Sequence, residues 1–328
     1  MNSRETFNDL AIRAVFMIAV YVVFAAMLPS YHTLRGGAAL LDGAVLIGLT
    51  ALGIGITMIA GEFDLSVGSL AAVIGVFTIN LIVAGMSVIP AIAIAVLAAA
   101  AFGALQGFVI ALTGINSLVF TIGTLIGLRG FALIVSNENS VTIPIPRLGE
   151  TDFLAERFVG LLSPLSILMF VVFLVAHLFL RYTMWGREIF AIGGGRAEAR
   201  AAGVPVMRPM VISFALSATL AGLAGAVSSV RLASATPLGF DTLLLSAVTA
   251  CLIGGIALEG GKGAVLGILI GLFTMRFLVG GVASLGAPYW LQSLAIGALL
   301  IFVLVIQLGA TIVRERAAHS GLAAPSAP

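Results

Sequence analysis

The sequence is poor in charged residues and in the side chains that build disulfides and metal sites. Only 9% of its 328 residues are charged, whereas a soluble domain carries about 25%. Cys251 is the single cysteine and lies in an apolar run, so an intrachain disulfide is excluded and the thiol is interpreted as a small buried hydrophobe. The three histidines, His32, His177 and His319, lie far apart with no second ligand at a metal-type spacing, and we therefore expect no metal site.

Motifs for catalysis and nucleotide binding are also missing. The stretch around Lys262 is not a P-loop, because no Ser or Thr follows the lysine and Ile256 stands where the motif needs glycine. No Ser–His pairing within a G-x-S-x-G elbow is present, which argues against an intramembrane enzyme. No Lys/Arg run is dense enough to indicate nucleic-acid binding. We therefore expect neither catalysis nor a cofactor.

Apolar residues dominate what is present. Hydrophobic residues make up 61% of the chain, above the roughly 45–50% of a soluble domain, so we predict that lipid is its solvent. The 39 glycines fit membrane helices, in which they let helix backbones approach closely. The predicted fold class is all-α, a polytopic transmembrane helical bundle.

A transmembrane helix needs about 20 mostly apolar residues to cross about 30 Å of hydrocarbon. By that measure the chain holds about ten candidate spans, which are Leu10–Leu28, Leu40–Ala60, Ser66–Gly85, Val88–Thr113, Ser117–Val135, Pro164–Arg181, Met210–Val230, Thr242–Leu258, Ala264–Gly280 and Tyr289–Leu308. The first is longer than the apolar core of a secretory signal and lacks a clear cleavage site, so we interpret it as a span. Several joints are short, and a re-entrant segment would pass for a span in this count.

Two polar stretches, Ser136–Ser163 and Met184–Pro209, flank one predicted span and therefore face opposite sides of the membrane. The second stretch, with the neighbouring Arg181, carries five arginines. The positive-inside rule places this stretch in the cytoplasm. Counting spans in both directions puts the N-terminal arginines, Lys262 and the C-terminal tail on the same side.

The segment Gly61–Ser69, GEFDLSVGS, places two carboxylates between long apolar runs. A carboxylate at membrane depth is costly, while the flanking glycines permit a break in the helix. One interpretation is a turn at the interface, in which Asp64 or Ser66 accepts from backbone amides at the start of the next helix. A second is a structured break that lines the pathway or its gate, and a third is proton coupling through one of the acids. The candidate residues for the pathway or gate are Glu62, Phe63, Asp64, Ser66, Gln106 and Asn116.

A second segment, Phe190–Val206 (FAIGGGRAEARAAGVPV), follows a span and a short basic joint. Residues 197–202 favour a helix with exposed charges, Gly203 favours its C-terminal stop, and Pro205 prevents continuation. We predict a short helix bracketed by the glycines at 193–195 and 203. The segment is either an ordinary basic loop that fixes topology or a docking helix for a cytoplasmic partner.

A weak internal similarity links Gly61–Ser69 with Gly254–Gly263 (GGIALEGGKG). Both segments place an acid among glycines between two apolar runs. The pattern indicates two related halves, an arrangement that many transporters have.

At these motifs the sequence resembles the membrane permease subunits of bacterial ABC importers of the ribose, xylose and galactoside class. Residues 61–68 resemble that family's GGIDLSVG-like signature, with Glu62 and Phe63 as departures. Residues 190–204 resemble its cytoplasmic YAIGGNxxAARxxGI-like segment, with Gly195 in place of the usual Asn. Further matches are Thr121–Thr124 (TIGT) with Arg129 and Gly130, and Leu252–Gly255 (LIGG) through Gly260–Gly263 (GGKG). The resemblance covers roughly residues 40–308.

The resemblance implies a transport mechanism. Two permease subunits, identical or different, would form the pathway, two ATPase copies would bind the cytoplasmic face, and a periplasmic binding protein would deliver a sugar or related small polar solute. The short helix would be the coupling helix, which moves when ATP closes the ATPase pair. The implied ATPase-coupling residues are Gly193, Gly194, Arg196, Ala199, Arg200 and Gly203.

On this basis residues 1–308 form a permease domain in the bacterial inner membrane, with a coupling segment at 184–209 and a periplasmic loop at 136–163. Residues 309–328 form a tail, and both termini are cytoplasmic. Two alternatives stay open. One is a branched-chain amino acid ABC permease, which shares the architecture. The other is a secondary transporter driven by an ion gradient, in which Glu62 or Asp64 titrates.

Overall fold

The long apolar runs form helices in the computed structural model, which describes residues 3–240, 242–288 and 290–305, with side chains from residue 9 onward. The α-helices are α1 (Ser3–Met27), α2 (Leu34–Ile59), α3 (Val67–Val83), α4 (Val88–Thr113), α5 (Ser117–Ser136), α6 (Pro164–Tyr182), α7 (Met184–Gly194), α8 (Arg196–Ala201), α9 (Met207–Arg231), α10 (Leu243–Ile253), α11 (Val265–Ser284) and α12 (Trp290–Val305). Short 3₁₀ helices occupy Pro29–His32 and Ile145–Leu154. The predicted all-α bundle is confirmed.

Seven of the described helices are long and apolar enough to cross a membrane, and α3, α10 and α12 are shorter apolar helices. All ten lie where a span was predicted, yet the number of complete crossings stays a prediction because three of them are short. Helices α1 and α2 begin several residues before the predicted spans, whereas α10 is shorter than predicted and ends at Ile253 rather than continuing to Leu258. Helix α10 ends there because Gly255 adopts a left-handed conformation, with φ +82°.

Helices α2 and α9 form the centre of the bundle. In the most apolar stretch of each helix, 61% of the residues of α2 and 67% of those of α9 are buried inside the protein, compared with 11% in α1 and 11% in α5. Glycine permits this close packing: a Cβ on Gly225 of α9 would lie 2.1 Å from the Ala71 carbonyl oxygen of α3, and one on Gly222 would lie 2.5 Å from the Ala99 Cβ of α4. The interface therefore uses small residues, as membrane helices do.

The loops gather at two opposite ends of the bundle. At one end, residues 141–142 pair antiparallel with residues 234–235, and the Arg147 guanidinium donates to the Met86 carbonyl oxygen at 2.9 Å. At the other end, Arg13 of α1 donates to the Ile253 carbonyl oxygen at 2.7 Å. Helix α7 meets the end of α2 at that same end. The two polar stretches thus lie at opposite ends, as predicted.

Helix α7 was not predicted. The sequence predicts a short basic joint after residue 183 and a helix that starts only beyond the glycines at 193–195. In the structure, Gly193 and Gly194 are instead the last two residues of a helix. The Thr183 hydroxyl accepts from the Gly186 amide at 3.1 Å and begins this helix. Ile189 and Ile192 are buried against the bundle. Burial of this apolar face outweighs the low helix propensity of the two glycines.

Asp42 of α2 ties the loop that contains residues 157–163 to the bundle. Its carboxylate accepts from Arg157 at 2.7 Å, from Arg231 of α9 at 2.7 Å and from the Ser163 hydroxyl at 2.6 Å. The Asp42 side chain is only 6% exposed. One buried carboxylate therefore joins two helices and a loop.

We expect Asp42→Asn to lower the thermal unfolding midpoint of the detergent-solubilised protein. The amide leaves Arg157 and Arg231 without their shared anion, and loss of one partner from a buried ion pair costs about 3 kcal/mol. Asp152→Asn is the matched control, because Asp152 is exposed on the same loop and makes no ion pair within the described residues. Equal midpoints for the two variants would contradict this role of Asp42.

Candidate functional site

The end of α2 is set by a Schellman motif. Gly61 has φ +77°, the Gly61 amide donates to the Met58 carbonyl oxygen at 2.9 Å, and the Glu62 amide donates to the Thr57 carbonyl oxygen at 2.9 Å. This arrangement satisfies carbonyl groups that the helix end would otherwise leave unpaired. The chain then turns and re-enters as α3 at Val67. We call residues 60–66 the α2–α3 break.

Asp64 is the polar centre of the α2–α3 break. One carboxylate oxygen accepts from the Ser66 amide at 3.1 Å, from the Ser66 hydroxyl at 2.6 Å and from the Gln106 amide at 3.2 Å. The other accepts from the Ser217 hydroxyl at 2.9 Å. All four residues are nearly inaccessible to solvent. Several hydrogen-bond donors offset the cost of burying a carboxylate, so Asp64 needs no adjacent cation.

The expected capping roles divide between the two residues. Asp64 accepts from an amide just beyond it, as predicted, but Ser66 does not cap α3. Ser66 occupies the N-cap position and makes no capping hydrogen bond with its side chain, because its hydroxyl donates to Asp64. The break is therefore joined to the bundle by the bonds of Asp64 to Gln106 and Ser217, and Ser66 does not close it with a side-chain cap.

Phe63 connects the break with α5, whose first turn is capped by Asn116. The Phe63 amide donates to the Ser117 hydroxyl at 3.2 Å, and its carbonyl oxygen accepts from the Thr121 hydroxyl at 3.2 Å. The Asn116 side chain caps α5 by accepting from the Leu118 amide at 2.8 Å. The structure thus brings the pathway candidates Glu62–Ser66 and Gln106 together, with Asn116 next to them at the start of α5.

Three glycine-bearing segments meet beside the break, and we call this contact the glycine junction (Gly61, Gly193 and Gly260–Gly261). The Gly261 amide donates to the Ile59 carbonyl oxygen at 2.8 Å. A Cβ on Gly193 would lie 1.8 Å from that same carbonyl oxygen, and a Cβ on Gly260 would lie 2.6 Å from the Gly61 Cα. Backbones approach this closely only where no side chain intervenes.

The glycine junction joins the two segments that resemble each other in sequence. Helix α10 ends as α2 does. The Gly255 amide donates to the Leu252 carbonyl oxygen at 3.0 Å, and the Ile256 amide donates to the Cys251 carbonyl oxygen at 3.0 Å. Both helices therefore end in a Schellman motif with a left-handed glycine. The shared helix ending gives the weak internal similarity a structural counterpart.

The predicted short helix is present as α8, which follows Gly195 and ends before Gly203. Gly203 has φ +80°, and its amide donates to the Arg200 carbonyl oxygen at 3.0 Å, so its role as a helix stop is confirmed. Ala199 is buried, whereas Arg200 is exposed. Helix α8 thus packs one face on the protein and leaves Glu198 and Arg200 exposed.

Arg196, the first residue of α8, forms an ion pair with Glu62 of the break. The Glu62 side chain is 3% exposed and that of Arg196 is 41% exposed. Partial burial lowers the pKa of the Arg196 guanidinium, and the nearby Arg200 lowers it further. Sequence reasoning singled out both residues but in separate motifs, so the pairing of coupling segment and break is a finding of the structure.

A cavity of about 240 Å³ lies between α2, α10, α11 and α12. Its lining is mainly apolar, and its polar members are Thr242, Ser246, Gln292 and Ser293. None of the predicted pathway residues lines it. Sequence reasoning missed these residues because isolated Ser and Thr are common in membrane helices, where they usually bond within their own helix.

The sequence matches the family described as "Branched-chain amino acid transport system / permease component" over residues 38–304. The L-arabinose ABC transporter permease protein of Azospirillum brasilense is 33% identical over 92% of this chain and 88% of its own length. The ribose import permease protein of Escherichia coli is 28% identical over 89% and 91%. The autoinducer 2 import system permease protein of Yersinia pestis is 33% identical over 80% and 79%. No solved structure matches at a significant level.

The glycine junction predicts that alanine substitution of two neighbouring glycines has different effects on stability. We expect Gly193→Ala to lower the thermal unfolding midpoint, because its Cβ would overlap the Ile59 carbonyl oxygen and overpacking of this kind costs about 1–3 kcal/mol. Gly194→Ala is the control in the same helix, since no atom lies within 4 Å of the added Cβ. A midpoint for Gly193→Ala equal to that of Gly194→Ala would show that the junction is not tightly packed.

Proposed function

The chain belongs to the family described as branched-chain amino acid transport system / permease component, and we propose that it carries a small sugar or related polar solute. It is the transmembrane permease subunit of an ATP-binding cassette importer. It is not an enzyme, since the ATPase activity belongs to a separate subunit. The observation that carries the choice of solute is that similar permeases are named for arabinose, ribose and autoinducer 2.

The coupling segment, residues 184–209, is proposed to receive the ATPase. Support comes from α8, which packs Ala199 on the protein and leaves Arg200 exposed. An ion pair between Glu188 of α7 and Arg208 of α9 joins the helices on either side of α8. A short helix that is packed on one face and exposed on the other can transmit movement of a partner as a rigid element.

We place the α8 end of the bundle in the cytoplasm. Support comes from the clustering of positive charge, because Arg13, the coupling segment and the loop that contains Lys262 share that end. The loop at residues 136–163 then faces the periplasm, where a solute-binding protein would dock. The predicted tail at 309–328 lies outside the described residues, and its cytoplasmic location follows only from the span count.

The pathway candidates are proposed to act as a gate rather than as a solute-binding surface. The Asp64 carboxylate already accepts four hydrogen bonds from the protein, so it has little capacity left for a solute. By contrast, Thr242, Ser246 and Ser293 line a cavity, and their hydroxyls make no hydrogen bond with any of the described residues. Unpaired hydroxyls in a recess suit a polyhydroxylated solute.

Two further assembly features are proposed with this function. A second permease subunit, identical or different, completes the pathway. A periplasmic solute-binding protein delivers the solute from the side of the 136–163 loop. Titration of Glu62 or Asp64 by an ion gradient is not favoured, because Glu62 is paired with Arg196 and Asp64 is saturated with donors.

The first test is uptake by proteoliposomes that contain this permease with the ATPase and binding protein encoded beside it. We expect uptake of labelled L-arabinose or D-ribose only when ATP, ATPase and binding protein are all present, because the permease has no energy source of its own. Uptake by the permease alone, or its collapse by a protonophore at constant ATP, would favour the ion-gradient alternative. Competition by leucine but not by sugars would favour an amino acid importer.

The second test concerns the free face of α8. We expect Arg200→Glu to lower uptake about tenfold, which corresponds to roughly 1.4 kcal/mol of lost interaction, because the reversed charge weakens ATPase docking. Thermal stability should be unchanged, since Arg200 is exposed. Arg35→Glu is the control, an exposed arginine in the first turn of α2 at the opposite end. Equal ATPase binding by the Arg200→Glu and Arg35→Glu variants, measured by co-purification, would contradict the docking site.

A further inference from the structure

We propose that the Glu62–Arg196 ion pair is a charge tether, the contact through which movement of α8 pulls on the α2–α3 break. The inference rests on the proposed function, because it requires α8 to be the element that the ATPase moves. It gives two residues a positioning role in the coupling of ATP hydrolysis to transport. Contact with the solute is assigned to other residues.

The two partners of the charge tether differ in exposure. Glu62 is almost fully buried and Arg196 is half exposed. The Glu62 Oε1 atom makes no hydrogen bond of good geometry with the described residues, so the adjacent guanidinium supplies its charge compensation. A buried carboxylate that loses its cation is strongly destabilised. The break is therefore held to the start of α8 by an attraction that is costly to interrupt.

Both partners are mounted on rigid backbone. The Glu62 amide belongs to the Schellman motif that ends α2, and Arg196 is the first residue of α8. A side chain on a fixed element holds its position more tightly than one on a free loop. Displacement of α8 is thus transferred to Glu62 rather than absorbed by loose chain.

The ion pair supplies an attraction between α8 and the break that the contact of Gly193 with the end of α2 does not supply. Van der Waals contact between Gly193 and the end of α2 resists approach and transmits a push. Such a contact resists separation only weakly, because single dispersion contacts are small. The attraction between Glu62 and Arg196 resists separation, so α8 can also draw the break after it.

Movement of Glu62 reaches three helices within two residues. Phe63 is bonded to Ser117 of α5, and Asp64 is bonded to Gln106 of α4 and Ser217 of α9. These contacts form a continuous physical connection from the coupling segment to the interior of the bundle. The charge tether is its first link.

The test measures uptake and ATP hydrolysis together, in proteoliposomes with the ATPase and binding protein and with labelled L-arabinose and D-ribose as probes. We expect Glu62→Gln and Arg196→Gln to lower uptake about tenfold, within the 5- to 150-fold range of typical coupling. Hydrolysis stimulated by the binding protein should continue, so ATP consumed per solute rises. Arg196→Lys should retain most uptake, because it keeps the charge.

Glu150→Gln is the matched control. It removes one acid from an exposed ion pair with Arg147 at the opposite end of the bundle, and we expect its ratio of ATP to solute to equal that of the parent protein. Normal coupling in both the Glu62→Gln and Arg196→Gln variants would overturn the tether. Equal loss of hydrolysis and uptake would also overturn it, because that pattern indicates failure of ATPase docking.

A second measurement does not depend on the solute. Hydrogen exchange of the amides at residues 62–67 is followed while the ATPase pair is closed with ATP and vanadate. We expect closure to change exchange in the parent protein and in Arg196→Lys but not in Arg196→Gln. The same response in Arg196→Gln would overturn the tether. Absence of sugar uptake by the parent protein would instead count against the proposed function, and the exchange result would still decide the tether.

Discussion

The architecture depends on one close backbone contact, where the carbonyl oxygen at the end of α2 meets the Gly261 amide and the Gly193 Cα. Three segments that are distant in sequence converge on this point, and each reaches it only because it carries glycine there. The contact fixes the end of α2, one of the two central helices, relative to the coupling segment. The contact therefore also positions the chain that follows α2, including Glu62 and the turn into α3.

The α2–α3 break shows how a polar segment is accommodated inside an apolar bundle. Backbone groups of the break are satisfied by Schellman bonds, by the hydroxyls of α5 and by the Asp64 carboxylate, which accepts from the Ser66 amide. The Asp64 carboxylate is in turn bonded to side chains of α4 and α9. Glu62 differs, because its partner is a charged residue of α8.

Much of this was predictable from sequence, for reasons that are local. Apolar runs predicted the helices, and the Gly203–Pro205 pattern predicted where α8 ends. Helix α7 was missed because its charges and terminal glycines favour a loop, and only burial of Ile189 and Ile192 makes it helical. The Glu62–Arg196 pair and the glycine junction were not predictable, because a single sequence holds no information on which of its distant segments meet.

The short lengths of α3 and α10 have a consequence for the depth of the site. At about 1.5 Å per residue, the 17 residues of α3 extend about 25 Å and the 11 residues of α10 about 17 Å, less than the roughly 30 Å of a hydrocarbon core. Neither helix is long enough by itself to cross that core, so irregular backbone such as the α2–α3 break shares the depth of the bundle with the helices. The polar groups of such a segment need partners inside the protein, and side chains of α4, α5 and α9 supply them.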